Sequence, residues 1–401
     1  MRGTLVSKTW KWNPILHAPP RHRRACAYEA FVPDSLVGAD FKLPVGVAAT
    51  VSEAEQAILA LNASPGAASL KPLARLLLRT ESIASSKIEG LQVGIRQLAR
   101  AESKLETGGG ASASVREVLG NIDAMQLAVE EAASAEQISE DHLVRIHSTL
   151  MSRAPNSHVA GKIREEQNWI GGNDYNPCGA AFVPPPPEKL GRVLTDLCAA
   201  ISDDQFSPIV QTALVHAQFE TIHPFMDGNG RTGRALIHVV LRRRGIASNY
   251  VPPISVVLAS DRDQYIRGLE TFRNDDVATW IEQFAIAAAR GAELATAYLS
   301  AVAELMDHWR DLLRGGAAPR ADSAAWAVID VLPEHPMIGT RAAISATGRA
   351  KSAVHTAVEQ LVECGVLQPV STSKRNRSWE AVGLLDLLEG LEMDQLPAPP
   401  Y

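Results

Sequence analysis

At 401 residues the chain has room for two or three domains of ordinary size. With 46% hydrophobic and 21% charged residues it has the composition of a globular protein, and a net charge of -6 excludes a surface that is basic throughout. The four cysteines, Cys26, Cys178, Cys198 and Cys364, show no C-x-x-C spacing; free buried thiols in a cytoplasmic protein are expected, with neither a zinc knuckle nor a disulfide framework. The opening residues, with Arg2, Lys8, Trp10 and Lys11, lack the apolar stretch of a signal peptide, and no run of about 18 apolar residues follows, so secretion and membrane spanning are not expected.

Residues 1 to about 50, rich in Pro and Arg with Trp10, Trp12 and the Arg21 to Arg24 cluster, read as an extended arm with short elements. Ser52 is a candidate cap for a helix carrying Ala54, Ile58, Leu59 and Leu61, and a second helical run covers Leu70 to Ser86. The run Thr107 to Ser114 has the composition of a surface loop. After it, Val115, Val118, Leu119, Ile122, Met125 and Val129 form one helical stripe. Leu143, Ile146, His147 and Leu150, after Ser139, form another. Asn168 to Pro187 breaks the rhythm with glycines and prolines and predicts a short hairpin or extended loop. Ser207 and Pro208 suit the N-cap and first position of a helix to about Ile222; another runs from about Gly230 to Arg244 and stops at Gly245. His216 and His147 read as packed structural residues, and Arg242 to Arg244 as a solvated helix end.

Beyond Pro319 come helical runs at Ala324 to Leu332, Thr340 to Thr347 and Ala350 to Cys364. Short strands follow at Leu367 to Val370 and Arg377 to Val382, around the polar loop Ser371 to Asn376. That is the order of a winged helix-turn-helix. Arg349 and Lys351, with Lys374, Arg375 and Arg377 in the wing, offer a local basic surface for DNA; Glu359 and Glu363 on the same helix make a protein-docking role at least as well supported.

The most informative stretch is His223-Pro-Phe-Met-Asp-Gly-Asn-Gly-Arg-Thr-Gly-Arg234. Gly228, Asn229 and Gly230 precede a helix, so their N–H groups and the helix terminus can cradle phosphate oxygens. Arg231 and Arg234 share one helix face, where two guanidinium forks can neutralise a polyphosphate. Asp227 beside such phosphates calls for a bridging divalent cation such as Mg2+. An unperturbed histidine side chain titrates near pH 6.5, so a residue of the type at His223 can take a proton from an incoming hydroxyl.

This run resembles, without departure, the H-P-F-x-[D/E]-G-N-G-R-x-x-R signature of Fic proteins, and the helix Val215 to Ile222 and the segment Phe182 to Pro187 resemble the family too. The resemblance covers roughly residues 45 to 290. It implies a mainly α fold, with a Fic-type helical core over 115–300, a β-hairpin flap and an N-terminal helical region over 1–114; the order of the C-terminal elements adds a winged helix-turn-helix domain over 301–401. It implies transfer of AMP from ATP to a Ser, Thr or Tyr hydroxyl of a target protein or of the chain itself. His223 would be the base and Asp227 the Mg2+ ligand, with ATP held by Gly228, Asn229, Gly230, Arg231, Thr232, Gly233 and Arg234. Tyr265 would lie near the adenine, although Ile266 stands where many relatives have a second tyrosine. The flap, including Ala181 and Phe182, would hold the target segment by main-chain pairing, and dimerisation through the core is a further implication.

Upstream, Ser85-Ser-Lys-Ile-Glu89-Gly90 resembles the family's [S/T]-x-x-x-E-[G/N] inhibitory motif, in which Glu89 would pair with Arg234 and displace ATP into an unproductive pose. The readings that compete are a different transferred group, removal of AMP by the same site, and a DNA-binding regulator using the core as a nucleotide sensor.

Overall fold

The computed structural model describes residues 3–12, 17–63, 71–106, 108–130, 132–370 and 377–397. Among the described residues the chain is mainly helical, with two small sheets. In chain order the elements begin with β1 (Gly3–Trp10), β2 (Cys26–Pro33), α1 (Val45–Ala63), α2 (Lys71–Ile88), α3 (Ile95–Glu106), α4 (Ala113–Glu130) and α5 (Glu140–Met151). Then come α6 (Leu190–Ser202), α7 (Pro208–Ile222), α8 (Asn229–Arg243), α9 (Ile254–Ser260), α10 (Arg262–Arg273) and α11 (Val277–Gly315). The chain closes with α12 (Ala324–Val331), β3 (Met337–Gly339), α13 (Thr340–Thr347), α14 (Lys351–Glu363), β4 (Leu367–Pro369), β5 (Ser378–Ala381) and α15 (Leu384–Glu392). Contacts divide it into two units, Met1–Glu55 with Asp123–Ile246 and Asp263–Ile286, and Gln56–Ile122 with Ala247–Arg262 and Ala287–Tyr401.

In the first unit, β1 and β2 form an antiparallel ribbon in register from Gly3↔Pro33 to Trp10↔Cys26. The expected extended arm is thus a paired hairpin. α1 begins directly after Pro44, so Ser52 sits inside the helix and does not cap it; Gly46, Ala48 and Ala49 in its first turns carry no apolar period to read. α7 starts where Ser207 and Pro208 indicate, and every side chain from Ile209 to Ile222 is buried. That all-round burial explains why its sequence has no amphipathic stripe. Two of its glutamines donate in place: Gln211 Nε2 to the carbonyls of Ala200 (2.8 Å) and Asp203 (2.6 Å), and Gln218 Nε2 to Asp34 O (2.8 Å). Arg243 and Arg244 are not a solvated end. Arg243 donates to the carbonyls of Ala135 and Glu136, and Arg244 to Phe206 O and Gln211 Oε1, because loops return past the end of α8.

The segment from Asn168 to Phe182 turns back through one antiparallel bridge, Ile170↔Phe182, in place of a ladder. Asn173 Oδ1 accepts the N–H groups of Tyr175 and Asn176, which takes over the work of strand pairing inside the turn. The ribbon lies along it: Trp10 meets Trp169 edge-on at 5.5 Å, His22 stacks on Tyr175 at 5.4 Å, and Phe31 N–H donates to Val183 O. The expectation of four free thiols is corrected here. Cys26 and Cys178 are paired across 152 residues with Cα atoms 6.2 Å apart, a separation that leaves no local spacing in the sequence to signal it. Cys198 and Cys364 are free, and burial pushes the Cys198 thiol up to about 12.

In the second unit α2 carries a buried polar seam. Glu81 accepts the N–H of Ser255 (2.7 Å), and Asn121 Nδ2 donates to Ser82 O (2.7 Å) and Ser86 Oγ (3.0 Å). The C-terminal strands form a sheet of order β3-β5-β4, with α12 against α14 and α15 against α3. β3 and α15 have no counterpart in the sequence reading. The wing loop Ser371 to Asn376, with Lys374 and Arg375, lies outside the described residues; Arg349, Lys351 and Arg377 are exposed. Glu392 of α15 binds Lys87 Nζ (2.8 Å) and the N–H of Ile95 (2.7 Å), so one carboxylate spans the segment that carries Glu89. Arg96 is ion-paired with Glu380, Asp386 and Glu389. No described helix is long and apolar enough to cross a membrane.

Candidate active site

His223 ends α7 in a left-handed conformation, φ 50° and ψ 60°, with its N–H still bonded to Phe219 O (2.9 Å). A non-glycine residue there is uncommon and costs on the order of 1–3 kcal/mol, so its neighbours must hold it. Two do so on its carbonyl: Arg164 Nε donates at 2.9 Å and Asn168 Nδ2 at 3.2 Å. Neither residue has a local sequence signal for this role.

From His223 to the start of α8 the backbone is braced by side chains. Asn229 Oδ1 accepts Phe225 N–H (2.9 Å) and its Nδ2 donates to Phe225 O (2.8 Å), so its amide is committed to the turn, leaving its main chain for an anion. Asp227 is exposed; Oδ1 accepts Gly228 N–H and Oδ2 accepts Asn156 Nδ2, both at 2.6 Å. Gly228 caps α8 at φ 76°, and a Cβ there would stand 2.9 Å from Met151 Sδ and 3.2 Å from Leu150. Only glycine suits that position. Thr232 Oγ1 donates back to Gly228 O (2.9 Å).

His147 stacks on Phe225, centroids 3.7 Å apart, and bonds Asp227 O through Nε2 at 2.9 Å. Gly161 N–H donates to its Nδ1, which assigns the proton to Nε2, and burial pulls its pKa down to about 4. His216 does the same further along: Nδ1 donates to Gly233 O (3.0 Å), Nε2 accepts from Tyr265 Oη (3.0 Å), and burial lowers its pKa to about 3. Both neutral imidazoles thus brace the motif's backbone. Tyr265 is 5% exposed, with its hydroxyl directed to His216. Gly233 is a close-approach point of α7 and α8, since a Cβ would collide with Glu220 Oε1 and come within 2.9 Å of Phe219.

Gly230 is half-buried, and Arg231 and Arg234 are 3% and 1% exposed on the helix that Gly228 begins. Across the site, Ala181 is exposed and Phe182 half-buried under the Arg273 guanidinium, 3.9 Å from the ring centroid. Arg273 also donates to Glu220 O (3.3 Å), and burial lowers its pKa to about 10. In the second unit, Ser85 is buried within α2, and Glu89 lies on the exposed turn that follows, where Gly90 has φ 86°. Among the described residues no group of three or more His, Cys, Asp or Glu side chains is arranged to hold a metal alone. The single exposed carboxylate of Asp227 fits Mg2+, which characteristically takes one or two carboxylates and completes its shell with phosphate oxygens and water.

Residues 137–241 match the Fic/DOC family, and residues 48–130 match the Fic/DOC family N-terminal region. A protein adenylyltransferase Fic of Nematostella vectensis is 29% identical over 202 residues, 49% of this chain and 44% of its own length. Protein adenylyltransferase fic-1 of Caenorhabditis briggsae is 28% identical over 152 residues, 37% of this chain and 27% of its own length. The chain thus spans less than half the length of these curated relatives. The solved structure of a Fic family protein from Desulfovibrio desulfuricans G20 shares the fold over 86% of this chain and 98% of its own, with a TM-score of 0.53 at 20% identity. With the motif's turn, helix and bracing residues in place and both regions matched in order, the chain carries a Fic/DOC domain over residues 137–241, preceded by a Fic/DOC N-terminal region over residues 48–130.

Proposed function

We propose that the protein transfers AMP from ATP to a Ser, Thr or Tyr hydroxyl of a target protein, itself included, and that Glu89 restrains the reaction. The observation that carries this reading is the rigid turn that joins a left-handed, carbonyl-clamped His223 to the glycine-capped start of α8 with its two buried arginines. A base and an anion cradle are thereby fixed within one short stretch of backbone. The names of the curated relatives support the same activity.

The target oxygen attacks the α-phosphorus of ATP while the bond from that phosphorus to the bridging oxygen of the β-phosphate breaks and pyrophosphate leaves. His223 takes the hydroxyl proton. The main-chain N–H groups of the α8 N-terminus face phosphate oxygens, and Arg231 and Arg234 neutralise the polyphosphate. Asp227 would hold Mg2+, which supplies charge neutralisation between phosphates when bound. The Ile170–Phe182 turn presents main-chain groups to an extended target segment. Glu89, by pairing with Arg234, would take the guanidinium that the γ-phosphate needs. The order β3, α13, α14, β4, β5 supports a winged-helix reading of the C-terminal region, with Glu359 and Glu363 on exposed positions of α14 favouring a protein partner over DNA.

The test is incubation with α-labelled ATP and Mg2+ of the wild type, Glu89→Gly, and Glu89→Gly with His223→Ala. Label on the protein or on lysate proteins should rise in the first variant and fall by about 10²–10⁴-fold in the second. Equal or lower labelling in Glu89→Gly removes the restraint from the reading; no labelling in any form removes the transfer.

A further inference from the structure

Arg164 is 3% exposed, and among the described residues no carboxylate pairs with it. A buried charge without a counter-ion normally costs several kcal/mol. Here four main-chain carbonyls compensate it. Nε donates to His223 O (2.9 Å), Nη1 to Glu166 O (3.0 Å), and Nη2 to Pro185 O (2.6 Å) and, at 3.4 Å, to Ile222 O. Two of these acceptors are the last carbonyls of α7, where the helix leaves its C=O groups unmatched and the dipole is negative. The other two belong to the two arms of the target-facing loop, before Gln167 and after Pro184. The Arg164 N–H completes the set by donating to Pro224 O (3.0 Å).

We propose that Arg164 is a positioning residue that fixes the distance and orientation of His223 relative to the loop that presents the target hydroxyl. A guanidinium is suited to this because its five donors are spread over a rigid plane. An ammonium, with its donors on one atom, cannot reach acceptors on both sides. The ATP side of the site is held by different residues, Asn229, His147 and His216, so loss of the Arg164 fork should spare nucleotide binding and strike the transfer step. The inference rests on the adenylyl-transfer reading above.

Arg164→Lys and Arg164→Met are to be compared in the Glu89→Gly background for the kcat of labelling, ATP affinity by equilibrium dialysis, melting temperature, and the His223 imidazole resonances, assigned by their loss in His223→Ala. A misplacement of about 1 Å at a reacting group costs about 100-fold, so kcat should fall by about that factor in both variants. ATP affinity should stay within about threefold, and lysine should not rescue. A kcat within about threefold of the parent overturns the proposal, and so does a parallel loss of kcat and ATP affinity that tracks the melting temperature, since that marks a structural residue only. If the parent does not label at all, the transfer reading fails by itself. The His223 resonances then decide: a shift in Arg164→Lys is expected, and an unmoved signal overturns the proposal.

Discussion

His147 and His216 sit 80 and 17 residues from the carbonyls they bond, Asp227 O and Gly233 O, and both are held neutral by burial. In the unfolded chain each would titrate near 6.5, while in the folded chain the values are about 4 and about 3. Between those limits the unfolded state binds more protons, so stability is complete above about pH 6.5 and is lost as pH falls through the window. For His147 the loss is on the order of 3 kcal/mol. We expect the melting temperature to drop steeply between pH 6.5 and 4, and His147→Gln to flatten the profile; a profile equally steep in the variant would remove His147 as its source. The sequence shows these two as packed histidines on helices, which they are. That they brace the motif was not legible, because each bond closes only when α5 or α7 packs beside the turn. Arg164 and Asn168 escaped notice for the same reason, whereas His223 to Arg234 was readable because a dozen consecutive residues carry the pattern.

At the scale of elements, the junction of α7 with α8 was the most readable part of the chain. Ser207, Pro208 and Gly245 punctuate it by local backbone chemistry, and Gly228 serves as a cap. Gly233 illustrates what punctuation does not report: it is a point of close approach between the two helices. Gly233→Ala should cost about 1–3 kcal/mol in urea unfolding through overpacking against Glu220 and Phe219. Gly228→Ala combines a strained φ with crowding by α5, and should weaken ATP binding measured by calorimetry as well as stability. An alanine at either position with wild-type unfolding would show that the helices adjust freely. The β1–β2 ribbon and its Cys26 link to the 168–182 turn were illegible, since strand pairing and a disulfide over 152 residues depend on the partner and not on the segment itself.

At the scale of the whole molecule, each unit is assembled from three separate stretches of chain, an arrangement that local periodicity does not encode. The second unit joins the turn after α2 to the last helix through Glu392, whose carboxylate grips Lys87 on one side and Ile95 on the other. Glu392→Gln should speed amide exchange across residues 88–95 while leaving α7 and α8 protected; unchanged exchange there would mean that Arg262, which donates to Ile88 O at 2.9 Å, suffices by itself. Lys87 and Glu392 are 305 residues apart, and a ribosome adding about 5–20 residues per second needs roughly 15–60 s to travel between them. The turn bearing Glu89 is therefore among the first parts of the second unit to be synthesised and among the last to be fastened, and a message cut short ahead of α15 yields a chain in which that fastening never forms.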